Sequence, residues 1–425
     1  MAIDIEILTI GNELLNGDLA DTNTQRLAAL LRQLGLPVRR AQTVPDTMPM
    51  IVEAMRVAAA RSEVVLVSGG LGPTEDDLTL EAAALAAGVR LVEHEGTIAR
   101  LRERFKSRGF PLTPNNLRQA RVPEGADVFD NPVGTAPHVQ LVLGRARLFL
   151  FPGVPMELAR LAEDFLVPWL RAHAPVVQYR SKVFKTFGKT ESQVATLLES
   201  LPRDGRMHVA YRAHFPEIQV SLHVEEPEPT AAESLLASSA AHVREALGDI
   251  IYGESAGDTL PAAVGALLAA RGETVALAES CTGGLVAKML TDVAGSSRYF
   301  VEGFVTYANE AKESMLGVNK KLLLQHGAVS EPVVRAMAEN VRKKLGATFA
   351  LSISGVAGPG GGTEAKPVGT TYVALSNRER TRTMHQVLLG SQGSRDQNRI
   401  LAAHLALDAL RTELLGIHET GIPVN

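Results

Sequence analysis

Ser280 is the residue whose setting most invites chemistry. It stands in Ala278-Glu279-Ser280-Cys281-Thr282-Gly283-Gly284, after Glu273–Leu277 and before Leu285–Leu290. The first flank has the length and β-branched content of a short buried strand, and the second reads as a helix. A hydroxyl on such a turn can attack a carbonyl carbon. The open N–H groups of a first helical turn, over Thr282, Gly283 and Gly284, can steady the oxyanion or hold a phosphate. The same residues also suit a Ser/Thr N-cap with glycines for close packing.

A serine at its ordinary pKa needs a base. His326, His385 and His404 all lie outside the polar motifs of the C-terminal third, which argues against a Ser-His-Asp arrangement. Gly303–Lys312 delivers Tyr307 at a strand end, with Lys312 one turn later. Either can supply the base, provided burial and a nearby cation depress the lysine pKa. Phe349–Ser354 reads as a strand that ends in the glycine-rich run Gly355–Thr363. Ser354 can relay a proton or bind substrate. Arg395, with Gly355 and Gly358 of the loop, can hold a phosphate. This is the inventory of an amidohydrolase acting on a phosphorylated substrate, with no metal expected at this centre. Cys281 reads as a small packing residue.

A second constellation lies near the N-terminus, in Ser68-Gly69-Gly70-Leu71-Gly72-Pro73-Thr74-Glu75-Asp76-Asp77-Leu78-Thr79. Gly69, Gly70 and Gly72 let backbone approach a polyanion, and Thr74 and Thr79 offer hydroxyls. Asp76 and Asp77 would repel a phosphate unless a Mg²⁺-class cation lay between. Gly11–Gly17 with Glu13, Asn131–Pro137 with Asn131 and Thr135, and Pro152–Glu157 look like further walls of the same pocket. Glu13 and Glu157 suit solvated or capping roles by default. His94 and His138 read as surface or loop histidines.

The elements that must position these groups alternate. Strand-like Ile3–Ile10, Val38–Val44 and Glu63–Ser68 are separated by helical stretches with Leu27, Leu30, Leu31 and Leu34 on one face and Met48–Arg61 after the second strand. That is a βαβ pattern, which implies a parallel sheet with helices on both faces and ligands at the carboxyl ends of the strands. A smaller unit follows in β-α-β-β-α order: Ser181–Phe187, Thr190–Leu201, His208–Ala213, Gln219–Glu225 and Ala231–Leu247. Its Gly188-Lys189-Thr190-Glu191 lacks the second glycine of a nucleic-acid-binding GXXG loop. Lys182, Lys185 and Arg212 are offset by acids such as Glu191 and Glu217. A spacer or dimerisation role is therefore expected. Gly253–Asp258 reads as a linker.

The bulk properties fit. A chain of 425 residues is too long for one core. With 45% hydrophobic and 21% charged residues it has ordinary globular composition. A net charge of −4 argues against constitutive nucleic-acid or membrane-surface binding. A single cysteine excludes an internal disulfide framework and suits a reducing cytoplasm. No basic-then-apolar leader and no run of membrane-spanning length is apparent, so no membrane association is expected.

GNELLNG, SGGLGPTEDDLT, NPVGTAP and FPGVPMEL resemble the N-terminal part of the CinA family, which is similar to the molybdopterin-binding domains MoaB and MogA. AESCTGG, GFVTYANEAK, GAVS, SGVAGPGGGTEAKPVGT and GSRDQNR resemble the nicotinamide-mononucleotide deamidase domain of the PncC family. The resemblance implies an α/β protein with three domains. These are a molybdopterin-binding-like parallel-sheet domain over 1–172, a small α+β KH-like domain over 175–252 and an α/β deamidase domain over 258–420. It implies Ser280 as nucleophile, Tyr307 and Lys312 as its activators, Ser354 where the family often has Thr, and Arg395 on the substrate. Nicotinamide mononucleotide would give nicotinate mononucleotide and ammonia. At the other end it implies metal-dependent ADP-ribose pyrophosphatase activity, with Asp77 at the ligand-holding position, and a Mg- or Co-class ion with Asp76, Asp77 and Glu157 as candidate ligands. A homodimer is implied as well. Two departures stand out. His138 replaces a frequent glycine, where a side chain would narrow the pocket. Ser394 replaces a frequent aspartate, removing a partner for Arg395. The family's name suggests a rival role, an interaction protein of competence or DNA repair with nucleotide-sensing pockets.

Overall fold

The computed structural model describes residues 3–174, 178–202 and 205–417, so the expected domain limits at 175 and 420 fall outside the described residues. Two compact units divide the chain: residues 1–180 with Glu225–Ala232, and Ser181–Val224 with everything from Glu233 onward.

In the first unit the strands are β1 (Ile5–Ile10), β2 (Val38–Val44), β3 (Val64–Ser68), β4 (Leu91–Glu93), β5 (Arg121–Pro123), β6 (Asp127–Phe129), β7 (His138–Leu143) and β8 (Ala146–Phe151). One six-stranded sheet runs in the order β2-β1-β3-β8-β7-β6. β2, β1, β3 and β8 are parallel, as the βαβ pattern requires. β7 is antiparallel to β8 and β6 to β7, so β7 alone is reversed and the edge strand β6 runs with the parallel set. Helices cover both faces. Thr22–Gln33 and Pro155–Leu161 pack over Ile5, Ile7, Phe149 and Phe151. Met48–Arg61 and Thr79–Ala87 pack over Leu8, Val65, Val67 and Leu150. β1 is buried at every residue. Its two polar side chains are therefore paired. The Glu6 carboxylate accepts from Arg61 Nε at 2.9 Å and Nη2 at 2.5 Å, and Thr9 Oγ1 lies 3.1 Å from an Asp21 oxygen.

His138 is not a surface residue. It is fully buried on β7, stacked at 4.4 Å on the Phe151 ring and at about 5.5 Å on Phe129 and Phe165. Its Nδ1 lies 2.9 Å from the Leu150 carbonyl oxygen. Burial pushes its pKa down to about 4. His94 does sit in a loop, where it caps the helix Glu95–Ser107 by accepting from the Thr97 N–H.

The second unit holds two sheets. β9 (Gln178–Thr186), β10 (Met207–His214), β11 (Glu217–Glu226) and β12 (Ile251–Gly253) form one in the order β10-β11-β9-β12. β12 and the turn after it occupy the stretch expected as a linker, and the Asp258 carboxylate fixes that turn by accepting from Glu254 and Ser255 N–H. β13 (Val275–Glu279), β14 (Phe300–Val305), β15 (Phe349–Gly355), β16 (Thr370–Ser376) and β17 (Thr381–Val387) form the other in the order β14-β13-β15-β16-β17. Its first three strands are parallel and its last two antiparallel. Leu260–Arg271 and Arg395–Leu414 cover one face, and Glu331–Leu345 the other. Two basic residues of the small sheet have acid partners: Lys185 meets Glu217 at 3.5 Å, as the offset of charges implies, and Lys182 meets Glu254 at 2.8 Å, from outside the acids set against it in the sequence. Buried Arg411 bonds Asp408 and reaches the Asp249 and Ile251 carbonyls, tying the last helix to β12. Among the described residues no helix is long and apolar enough to cross a membrane.

The buried His138 sets an acid limit. Its native pKa of about 4 lies below the ordinary 6.5, so the unfolded chain takes up its proton first as pH falls. The stability it carries is complete above pH 6.5 and drains away toward pH 4, by about 3 kcal/mol at 1.36 kcal/mol per unit. Unfolding titrations of wild type and His138→Phe at pH 7 and pH 4 should therefore differ in their pH dependence by about that amount. A constant difference between the two proteins would rule out a neutral buried imidazole.

Candidate active sites

The C-terminal centre is built on the end of β13. Ser280 N–H donates to the Ile353 carbonyl at 3.0 Å, continuing the ladder to β15. The chain then turns through Cys281–Gly284 into the helix Leu285–Thr291. Gly284 takes φ of +91°, a region where a side chain is strained. The N–H groups from Gly283 to Ala287 are not open. Buried Glu279 accepts from Gly284 N–H at 3.0 Å, Val286 N–H at 3.2 Å and Ala287 N–H at 2.8 Å. Gly283 and Leu285 N–H donate to the Ser280 and Thr282 carbonyls. Gly283 and Gly284 thus shape the turn instead of offering an oxyanion site. The Thr282 hydroxyl is buried without a partner among the described residues.

Lys312, on the helix Asn309–Leu316, is fully buried. Its Nζ lies 3.1 Å from Ser280 Oγ, 2.7 Å from the Thr306 carbonyl oxygen and 3.2 Å from that of Tyr307. Burial pushes its pKa below the ordinary 10.5, without help from a neighbouring cation. In the neutral amine, two N–H bonds to the two carbonyls leave the lone pair facing the Ser280 hydroxyl. Cys281 is buried beside it. Burial raises the thiol to about 11, so it stays protonated at neutral pH and packs in the core as expected.

Tyr307 and Ser354 are placed differently from expectation. The Tyr307 ring is 60% exposed, and its hydroxyl accepts from Arg395 Nη2 at 2.8 Å. Its contribution to Lys312 is its backbone carbonyl. Ser354 is buried, and its hydroxyl proton is donated to the Ala328 carbonyl at 2.9 Å, which leaves it as a brace under the site instead of a relay. Arg395 also donates to the Gly358 carbonyl at 2.7 Å. It opens the last helix, whose N-cap is Ser394 in a capping box with Gln397, so the Ser394 departure keeps a good N-cap residue and loses only the charge.

Two residues overlooked in the sequence share this helix start. Asn398 Nδ2 donates to the Ala357 and Gly390 carbonyls, and Arg399 Nη2 to the Thr282 carbonyl at 2.7 Å. Their spacing of three and four from Arg395 puts all three on one helix face, which is the signal that was available. Glu279 was overlooked too. A carboxylate just before a Ser-x-x-Gly-Gly helix entry is its only mark.

The N-terminal site is a cavity of about 530 Å³ at the carboxyl ends of β1 and β3. Gly69 has φ of +106°, and a Cβ there would strike the Ile10 carbonyl oxygen, so the glycine loop lies against the end of β1. Thr79 Oγ1 ties the loop by donating to the Gly69 carbonyl at 2.8 Å. Gly69, Gly70, Gly72, Thr74, Asp76, Asp77, Thr135 and Glu157 all line the cavity. One Asp77 oxygen accepts from Thr74 N–H and Oγ1 at 2.8 and 2.5 Å, so Thr74 positions Asp77. Asn131 does not line it. Its amide bonds the Ala136 carbonyl and Glu157, and its oxygen accepts from Val133 and Gly134 N–H, which shapes the loop. Nor does buried His138 narrow it.

Asp46, overlooked in the sequence, lines the cavity as well. Burial raises its pKa despite a hydrogen bond from Asn12 N–H, and Glu13, Asp76 and Asp77 push it the same way. The wall is thus a crowd of acids. Among the described residues no three His, Cys, Asp or Glu side chains are gathered to hold a metal unaided. The donor set fits a hard cation that takes one or two carboxylates and completes its shell from a ligand's phosphates.

Comparisons with known proteins cover nearly the whole chain. Residues 6–172 match a probable molybdopterin binding domain, 181–253 the damage-inducible protein CinA KH domain and 257–414 the CinA C-terminal domain. A CinA-like protein of Anaeromyxobacter sp. (strain Fw109-5) is 45% identical over 417 residues, spanning 97% of this chain and 100% of its own. A CinA-like protein of Geobacter sulfurreducens is 45% identical over 414 residues, spanning 97% and 99%. The crystal structure of a CinA protein from Thermoplasma acidophilum aligns with 36% identity and a TM-score of 0.37, covering 39% of this chain and 98% of that one.

Removing the Glu279 carboxylate would orphan three N–H groups at a buried helix start. Glu279→Ala is expected to lower stability by about 3 kcal/mol, seen as a lower denaturant midpoint. A loss within the few tenths of a surface substitution would contradict the capping role.

Proposed function

The chain belongs to the CinA family, and from that premise we propose that its C-terminal third is an amidohydrolase of nicotinamide mononucleotide. What carries the reading is the contact of buried Lys312 Nζ with Ser280 Oγ at 3.1 Å, its two other bonds fixed on backbone carbonyls. Neutral Lys312 takes the Ser280 proton as Oγ adds to the carboxamide carbon. The protonated amine then returns a proton to the departing nitrogen, and ammonia leaves as the C–N bond breaks. Water, deprotonated in turn by Lys312, cleaves the acyl–Ser280 ester to release the carboxylate. Arg395, held by Tyr307 and the Gly358 loop, supports binding of the substrate's phosphate.

The N-terminal cavity is read as a second site, for a nucleotide diphosphate such as ADP-ribose. Asp76 and Asp77 would hold a divalent ion of the Mg or Co class, while Glu157, which accepts from Asn131, lines the same cavity. Bound there, such an ion supplies Lewis-acid polarisation of a phosphoryl oxygen. The glycine loop supplies backbone groups for the phosphates.

Ser280→Ala should abolish ammonia release from nicotinamide mononucleotide, by about a thousandfold or more, with folding retained. Undiminished release would place the chemistry elsewhere. Because burial lowers the Lys312 pKa, the neutral base accumulates below the ordinary 10.5. Rate against pH should rise with pH through an inflection below that value, and Lys312→Met should remove the rise along with most of the activity. Asp77→Ala should cut Mg²⁺-dependent ADP-ribose cleavage at least about tenfold, followed by phosphate-ester products on chromatography.

A further inference from the structure

The amidohydrolase centre takes a backbone carbonyl from Tyr307 and leaves the body of its ring unused. That side chain is 60% exposed, yet both of its ends are tied. At the backbone end, the Tyr307 carbonyl oxygen lies 3.2 Å from Lys312 Nζ, which lies 3.1 Å from Ser280 Oγ. At the far end, the hydroxyl accepts from Arg395 Nη2 at 2.8 Å, and Arg395 Nη1 donates to the Gly358 carbonyl at 2.7 Å. An aromatic side chain held in this way gives up rotamer freedom on folding and keeps apolar surface in water. Holding Lys312 requires neither, because a backbone carbonyl does that with any side chain attached. The exposed, fixed ring is therefore suited to a partner from outside the chain.

Its position says which part of a substrate meets it. A carboxamide at Ser280 and a phosphate at Arg395 set the rest of the substrate between those two points. The Tyr307 side chain runs between the same two points. In nicotinamide mononucleotide the group attached to the carboxamide is a pyridinium ring, a flat cation. An aromatic face attracts such a cation through its quadrupole. A carboxylate would attract it too, but one set that close to Lys312 would hold the proton on the amine and remove the base. A ring face meets the charge without that effect. We infer that the Tyr307 ring is the platform for the substrate's pyridinium, which makes Tyr307 a specificity-determining residue for N-substituted pyridinium carboxamides over amides of uncharged rings. The inference rests on the amidohydrolase reading of this site and adds which part of the substrate is selected, and by what.

Binding by the full-length protein tests this, in a Ser280→Ala background so that the ligand is not consumed. The probes are nicotinamide mononucleotide and its reduced, dihydropyridine form, which keeps the carboxamide, ribose and phosphate but has an uncharged ring. With Tyr307 in place, the oxidised form should bind about tenfold more tightly than the reduced form. Tyr307→Leu should bring the two affinities to parity, whatever it does to both through Arg395. Tyr307→Phe keeps the ring and loses the bond to Arg395, so it should weaken both forms and preserve their ratio. A ratio that survives Tyr307→Leu overturns the inference. So does one that is lost in Tyr307→Phe, since the hydroxyl and not the ring would then discriminate. Equal binding of the two forms with Tyr307 in place also overturns it, a comparison that needs no variant at that position. Ammonia release by the wild type separates the two readings. If the wild type deamidates nicotinamide mononucleotide and the preference is absent, the platform alone is wrong. If it releases no ammonia, the amidohydrolase reading falls and the inference with it.

Discussion

Keeping an amine inside a protein is the constraint around which the C-terminal centre is organised. A lysine ammonium in an apolar interior loses its hydration, and the chain must either pair it or let it become neutral. Among the described residues Lys312 has no carboxylate partner. It has three oxygens instead, two from backbone carbonyls and one from Ser280. Carbonyl dipoles stabilise a cation less than a carboxylate would, so the site leans toward the neutral amine. The same two carbonyls fix the direction of its lone pair. A carboxylate within reach of Nζ would hold the proton on the nitrogen and remove the base.

That arrangement requires the surrounding loops to stay where they are. Thr306 and Tyr307 follow β14, Ser280 follows β13, and the Gly358 loop follows β15, so three neighbouring parallel strands deliver the parts at their carboxyl ends. Loops carry little order of their own. The start of the last helix supplies it: Arg395 grips the Gly358 loop and Tyr307, Asn398 the Ala357 carbonyl, and Arg399 the Thr282 carbonyl. Glu279 does the same from below by filling the N–H groups of the helix that follows Ser280. The nucleophile turn is thereby held from both sides.

The sequence made the alternation of strands and helices legible, and with it the sites at strand ends, because hydrophobic periodicity and glycine turns are local. Ser280 and Lys312 could be paired from their residue types. What stayed hidden was where a polar group's partner lies. Tyr307 and Lys312 are adjacent in one motif, yet the Tyr307 hydroxyl turns to Arg395, 88 positions on, and only its carbonyl meets the lysine. Asn131 looked like a ligand residue and is wholly engaged in its own loop. His138 followed a Gly-Thr-Ala-Pro turn and looked exposed, but β7 is closed over by Phe129, Phe151 and Phe165, all distant in sequence. β17 and β12 were missed because an edge strand and a three-residue strand show almost no periodicity.

The two sites also differ in how much of their chemistry the protein completes alone. At the C-terminal centre nucleophile, base and braces are already bonded to one another, so substrate needs only to enter. The N-terminal cavity is unfinished. Burial, and after it repulsion from Glu13, Asp76 and Asp77, raises Asp46. The repulsion is relieved by a cation held between these acids and a ligand's phosphate oxygens. Such a cavity is stabilised by being filled.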